Sequence, residues 1–558
     1  MNTLNTSNAL KTSNALKTSN ASNTLSASNA LNALKTRVTR PARMLALGLT
    51  LPLAGCMVGP DYVRPDIAMP DHYHAATAPT SPLAPTVTAA PDRTAPADLT
   101  QWWAGFHDPV LDGLIQRALA QNLDLAAAQA RVAQARAAAG IAATAWLPQG
   151  SLDADVTRQR QSTVGALGTI ASTSPGYDRN QTERTIGAGA SWELDLAGGL
   201  HRRAQALRAE ADAAEAAHMG VRISVAAETA DAYFQLRGAQ AAQGLMQSQI
   251  AADASYVDVM EDRMRQGVAV DRERDDAVAQ RHQDEALVPA LRAQVEKQGN
   301  RLDVLLGDSP GTNAASLRNS NSNSNSSSNS GNGNANANGI DSATMTSWTL
   351  PAMPGNLQPA ALLRRRPDVL AAERRLAAAT AGIGVALAQY YPDVSLAGLL
   401  GFERLGDGNL FSSQAFQPAA LAGLHWRLFD FGRVDAEVRQ ARGAQAEAWA
   451  TYRQAVLRAT EDAEDALITL AQADAQAGAL QNALAANDRA EQSAKRGYDQ
   501  GTASMAEILL RQRDVLQARR NWVLADVERA RATVDAYRSL GGGWDAGTTF
   551  DRDMLSVL

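Results

Sequence analysis

The sequence predicts a mixed α/β fold built from two copies of one plan, in which paired strands feed very long helices. Three observations carry this. First, "SWELDLAGGLHRRAQ" at 191–205 reappears as "HWRLFDFGRVDAEVRQ" at 425–440. Trp192 and Trp426, Asp231 and Asp465, and Gly267 and Gly501 are each 234 positions apart. A constant offset over about 75 residues marks an internal duplication. Second, each copy holds two stretches in which apolar residues alternate with polar ones, the signal of a strand with one apolar face. Third, the segments after them carry heptad spacing without a break, the signal of long packed helices.

The elements follow in order. In copy one a helix runs from about Asp108 to Ala145, broken near its start and ended by Pro148. Leu152, Ala154 and Val156 then alternate with Asp153, Asp155 and Thr157. After a Gly/Ser/Thr-rich loop, Ile186, Ala188, Ala190, Trp192 and Leu194 make the second strand. In copy two the same places hold Val394, Leu396, Gly398, Leu400 and Phe402, then Ala422, Leu424, Trp426 and Leu428. Residues 201–265 and 434–499 each read as a helix of roughly 65 residues, about 100 Å long at the standard rise. In the second, Trp449, Tyr452, Val456, Ala459, Ala463, Ala466, Leu470 and Ala473 step by three and four. On the returning helix Ile508, Val515 and Trp522 step by seven, as do Leu509, Leu516 and Val523. The shorter helices, about 118–145 with 270–306 and 367–391 with 503–540, match one long helix if stacked end to end.

Upstream of this plan, Cys56 is the single cysteine of the 558 residues. It ends "LPLAGC", behind the apolar run Met44–Gly55 and the basic residues Arg37, Arg40 and Arg43. A run that short cannot span a bilayer as a helix. Basic head, short apolar core and small residues before a cut describe an export signal. Leu53-Ala54-Gly55-Cys56 resembles the bacterial lipobox, which implies acylation of Cys56, cleavage before it, and, with Met57 following, an outer-membrane address. Residues before Arg37 form an Asn/Ser/Thr/Ala repeat too polar to fold. The boundaries expected are therefore a leader and signal at 1–55, a lipidated extended segment at 56–107, repeat one at 108–308, a linker at 309–356, repeat two at 357–541 and a tail at 542–558. The linker carries the Asn/Ser-rich tract 319–339, a loop by composition.

Several classes of function are excluded. A net charge of -6 without a basic stripe argues against nucleic acid. No phosphate-binding loop of the Walker type appears, so no ATP-driven step is expected. Asp71, His72 and His74 lie close together, but in a Pro/Ala-rich stretch that suits a solvated segment better than a metal site. "EDAED" at 461–465 could be paired acids, but it sits in a heptad helix, where a solvated or lumen-facing cluster is expected. No enzyme, cofactor or metal is expected. Four strands cannot close a barrel in lipid, where an open edge is forbidden, so several chains must contribute if the strands span a membrane.

"QPAALLRRRPDVLAAERRLAAATAGIGVALAQYYPDVSLAG" at 358–398 and "CMVGPDYVRP" at 56–65 resemble the outer membrane factors. These are the TolC/OprM-like channels, here of the NodT-type lipoprotein branch that serves RND efflux systems. The resemblance implies a homotrimer: a 12-stranded transmembrane β-barrel with four strands per chain, continued by a 12-helix periplasmic α-barrel. It implies a passive duct exporting small molecules such as drugs, with a periplasmic adaptor (membrane fusion) protein and an inner-membrane RND pump as partners. A periplasmic coiled-coil lipoprotein adaptor, or the duct of a type I secretion system, are the alternatives. Arg365, Arg366, Pro367 and Asp368, followed by Glu373, form the most specific motif. Pro367 suits the first helical turn and Asp368 the positive helix end, which predicts a capping role. Gly267, Val268 and Ala269, with Gly501, Thr502 and Ala503, form two helical turns. The resemblance assigns them to adaptor contact at the periplasmic tip.

Overall fold

In the computed structural model the described residues are 57–67, 73–74, 99–313, 347–353, 359 and 365–545. Cys56, Asp71, His72 and the tract 319–339 lie outside them.

The strands form one antiparallel sheet in the order β1 (Gln149–Arg160), β2 (Asn180–Leu194), β3 (Asp393–Leu405), β4 (Phe416–His425). The central pairing, β2 with β3, joins the two copies. Register confirms the period-two reading. Leu152 lies opposite Ala188, Ala188 opposite Leu400, and Leu400 opposite Pro418, so the alternating apolar residues line up across all four strands. Pro418 is tolerable because β4 is an edge strand. Leu152, Val156, Leu400, Leu421 and Leu424 are all exposed: within one chain this sheet has no core to cover. The last strand lies earlier in the chain than its alternation implies, over Phe416–His425 rather than through Leu428. It ends at His425, and the Trp426 indole instead donates to the Tyr390 carbonyl at 3.1 Å, as Trp192 does to Trp146 at 2.8 Å.

The helices are α1 (Pro109–Gln121), α2 (Leu123–Thr144), the short α3 (Ala166–Ala171), α4 (Gly199–Arg265), α5 (Asp271–Leu305), α6 (Pro367–Ala388), α7 (Arg433–Asp499) and α8 (Met505–Ser539). Helices α4 and α7 are each 67 residues long, about 100 Å at 1.5 Å per residue. Both begin after a glycine in the left-handed region, Gly198 at φ +75° and Gly432 at φ +85°. The shorter helices do meet end to end. Asn122, buried at the break between α1 and α2, caps α2 by accepting from the Leu125 N–H at 3.0 Å. Its amide donates to the carbonyl of Leu305, the last residue of α5, at 3.0 Å. Likewise Arg366, just before α6, donates to the carbonyl of Ser539, the last residue of α8.

Packing between α7 and its neighbours follows the heptads with one change. Tyr452, Val456, Ala459, Ala463 and Leu470 are buried, but the buried residue between the last two is Leu467 rather than Ala466. The larger side chain takes the inward position, as burial energy of about 25 cal/mol per Å2 favours. The main core sits where the stacked helices meet. Trp102, Trp103 and Phe106, in a 3-10 turn within the segment expected to be extended, pack on Phe234 and Tyr537. The Trp102 and Tyr537 rings stack at 5.7 Å. No helix among the described residues is long and apolar enough to cross a membrane.

Candidate functional site

The two helical turns are near-identical. Gly267 has φ +71° and Gly501 φ +72°, the left-handed conformation that closes a helix. In the first, Gly267 N–H donates to Met264 at 2.9 Å and Val268 N–H to Arg263 at 2.9 Å. In the second, Gly501 N–H donates to Tyr498 at 2.9 Å and Thr502 N–H to Gly497 at 2.8 Å. These paired bonds are the Schellman closure. The turns then diverge. Ser504 caps α8 by accepting from the Glu507 N–H at 3.2 Å, whereas Val270, its counterpart before α5, offers no such bond. Val268 is 63 % exposed and Thr502 is exposed, while Ala269 and Ala503 are half-buried. Just above the turns Val257, Met260, Ala277 and Ala506 form a small core that ties α8 to the α4–α5 hairpin.

The arginine motif does more than start a helix. Pro367 opens α6 and Asp368 sits in its first turn, but no side chain caps the helix. Instead the Arg366 guanidinium is the hub. It reaches both oxygens of Asp368 at 3.0 and 2.8 Å and Asp462 at 2.9 Å. It also donates to the carbonyls of Ala459 on α7 at 3.2 Å and Ser539 on α8 at 3.3 Å. One planar fork thus fastens three helices, a task its fixed donor geometry suits. Arg365 donates to the Trp544 carbonyl at 3.2 Å. Consequently "EDAED" is no free charge cluster: Asp462 holds Arg366, and Glu464 accepts from the His74 N–H at 2.7 Å.

Glu373, 1 % exposed, anchors the segment that follows Cys56. It takes the Tyr62 hydroxyl at 3.1 Å, Arg64 at 3.0 Å and Arg374 at 2.7 Å. Burial, and next the Glu373 charge, push the Tyr62 hydroxyl well above its ordinary pKa. A second anchor escaped sequence reasoning. Buried Arg202 donates to the carbonyls of Val58 at 3.0 Å and Gly59 at 2.9 Å, and to Asp61 at 2.9 Å. Gly59 has φ +95°, and a Cβ there would lie 2.5 Å from the Cα of Gly384. The signal was present in the repeat: the counterpart of Arg202 in copy two is Ala436.

The family model described as "Outer membrane efflux protein" matches residues 114–308 and 359–542. The chain is similar to the pyoverdine export outer membrane protein OpmQ of Pseudomonas putida, 28% identical over 509 residues, covering 91% of this chain and 99% of the relative. It is also similar to the cation efflux system protein CusC of Escherichia coli, 26% identical over 504 residues, covering 90% and 99%. Among solved structures, the outer-membrane channel OprN is similar at a TM-score of 0.69 and 32% identity, covering 88% of this chain and 100% of that one.

Proposed function

The chain belongs to the outer membrane efflux protein family and is an outer-membrane channel component of an efflux system; from that premise we propose that three copies join their sheets into one closed 12-stranded barrel. The observation that supports this is the sheet itself. It has two unpaired edges, β1 and β4, and exposed leucines on a lined-up apolar face. In lipid every strand edge must be paired, and cyclic repetition of the same edge contact closes the ring. Each chain brings four helical columns: α4, α7, α2 on α5, and α6 on α8. Three chains bring twelve, the wall of a periplasmic tunnel. The duct is passive, part of a tripartite RND-type system, and lipid on Cys56 anchors it beside the barrel. The segments 108–308 and 357–541 are its two repeats and 309–356 their linker.

The tip turns at Gly267–Ala269 and Gly501–Ala503 meet the periplasmic adaptor. Their shared conformation and their twofold presence per chain support this, because three chains then offer six similar turns. One relative is named for pyoverdine and another for cations. A duct of one architecture serving both leaves cargo selection to the pump. Two measurements test the reading. The purified protein should run as a heat-dissociable trimer and conduct in planar bilayers; a monomer without conductance would refute the duct. Val268→Asp or Thr502→Asp should abolish export while leaving the trimer intact. Unchanged export, with crosslinkers at these positions never capturing the adaptor, would refute the tip assignment.

A further inference from the structure

Above the first tip, α4, α5 and α8 bring together acids that neither the heptads nor the tip requires. Asp253 on α4 is 4 % exposed and Asp284 on α5 is 8 % exposed. Asp253 stands fourteen residues before Gly267, about 21 Å up the helix at the standard rise. Asp284 stands seventeen residues after Gly267, so the hairpin sets the two buried acids at about the same height on helices that pack against each other. The charged groups that act on Asp253 are Asp284 from α5 and Arg513 from α8; Gln249 stands one turn away on α4 itself. Arg513 approaches the Oδ1 oxygen of Asp253 at 3.8 Å, and the Gln249 amide donates to that same oxygen at 3.3 Å. The Oδ2 oxygen is buried without any donor. The Gln249 amide oxygen is buried and unpartnered as well.

We propose that Asp253 and Asp284 share one proton that locks α4 to α5 above the tip, and that losing this proton to solvent loosens the hairpin. A buried acceptor without a donor is costly, and more so when it is charged. Two carboxylates in contact cannot both ionise cheaply. One proton resolves both conditions: it supplies the missing donor for Oδ2 and leaves the pair with a single negative charge opposite the single positive charge of Arg513. Without it, two negative charges on neighbouring helices repel across the hairpin seam.

The titration runs in a usable range. Burial first, then the Asp284 contact, hold the Asp253 carboxyl up to about 6, against the lowering by Arg513. Raised above its ordinary 3.8, the group stabilises the hairpin fully below about pH 4, and this contribution is lost as pH rises through about 6. Acidification tightens the hairpin, and neutral pH relaxes it. The link belongs to the hairpin alone and holds whether or not three chains form a duct.

Hydrogen exchange of the full-length purified protein tests it, on peptides covering 245–262 and 278–291. Wild type is compared with Asp284→Asn at the same pH, so intrinsic exchange cancels. The asparagine amide supplies a permanent donor to Oδ2. At about pH 4, where the shared proton is in place, the two proteins should exchange alike. At about pH 7.5 wild type should exchange roughly tenfold faster, a conservative share of the tenfold per pKa unit that a full shift allows. Should Asp284→Asn fail to fold, Asp253→Asn places the same donor on the other helix and must give the same result. Equal exchange at both pH values overturns the proposal. So does protection that collapses when a chelator is added to wild type, since a divalent cation would then be the bridging charge.

Discussion

Replacing Arg366 tests whether the arginine motif is a helix cap or a three-helix fastening. Its guanidinium is mostly buried, yet Asp368 and Asp462 are about half exposed. The two ion pairs are therefore discounted to surface values, together about 1 kcal/mol. The bonds to the Ala459 and Ser539 carbonyls contribute about 1 kcal/mol each, and the buried stem adds packing. Arg366→Ala should thus destabilise by about 3 kcal/mol. Arg366→Lys should recover about half, because one ammonium cannot reach four acceptors spread over three helices. Asp368→Asn should cost less than about 1 kcal/mol, the size of a helix-end charge effect. The assay is thermal unfolding of the purified protein, with exchange of the first turn of α6 as the local readout. If Asp368→Asn costs as much as Arg366→Ala, the helix-end reading stands and the fastening does not.

Gly59→Ala should free the segment 57–67 to protease, since it combines φ +95° with a Cβ pressed on Gly384; about 2–4 kcal/mol is expected. Gly501→Ala, at φ +72° but with nothing near its Cβ, should cost only the backbone term of about 1 kcal/mol; equal costs would refute the packing argument. Cys56→Ser should abolish fatty-acid labelling while barrel assembly persists in part, and labelling that continues would sink the lipobox. Deleting 319–339 behind a short linker should leave the trimer and export intact, because loop length adds only about 0.6 kcal/mol per doubling.

What could be read from the sequence was whatever repeats. Helix and strand periods need only local order, so α4 and α7 were legible to within a few residues and all four strands were located, although the alternation caught only the end of β4. The glycines of the two helical turns, Gly267 and Gly501, were legible because such a turn favours the left-handed conformation. The aromatic core was not: Trp102, Trp103 and Phe106 follow a Pro/Ala-rich stretch, and nothing local ties them to Tyr537, more than 400 positions away. The motif at 365–368 is legible as a helix start, with Pro367 and Asp368 in the first turn, but the hub at Arg366 is not. Its partners Ala459 and Ser539 offer backbone carbonyls, which every residue has, so no side-chain pattern could announce them.

The two copies differ at their strand-to-helix corners for a physical reason. Both corners need a left-handed glycine, and both have one, Gly198 and Gly432. Around the first, the chain's own segment is laid down: Val58 N–H donates to the Ala197 carbonyl at 3.0 Å, Met57 packs on Gly198, and Arg202 grips the carbonyls beyond. Around the second no other segment arrives among the described residues. Gly432 is open, Arg202 is replaced by Ala436, and Phe429 and Phe431 stand 88 % and 100 % exposed. A covered corner selects an arginine to satisfy the incoming backbone, because buried carbonyls require donors. An uncovered corner has no such demand and carries large apolar side chains, which gain only if apolar surroundings lie outside the single chain. One backbone solution occurs twice, and the side chains around each corner match what that corner meets.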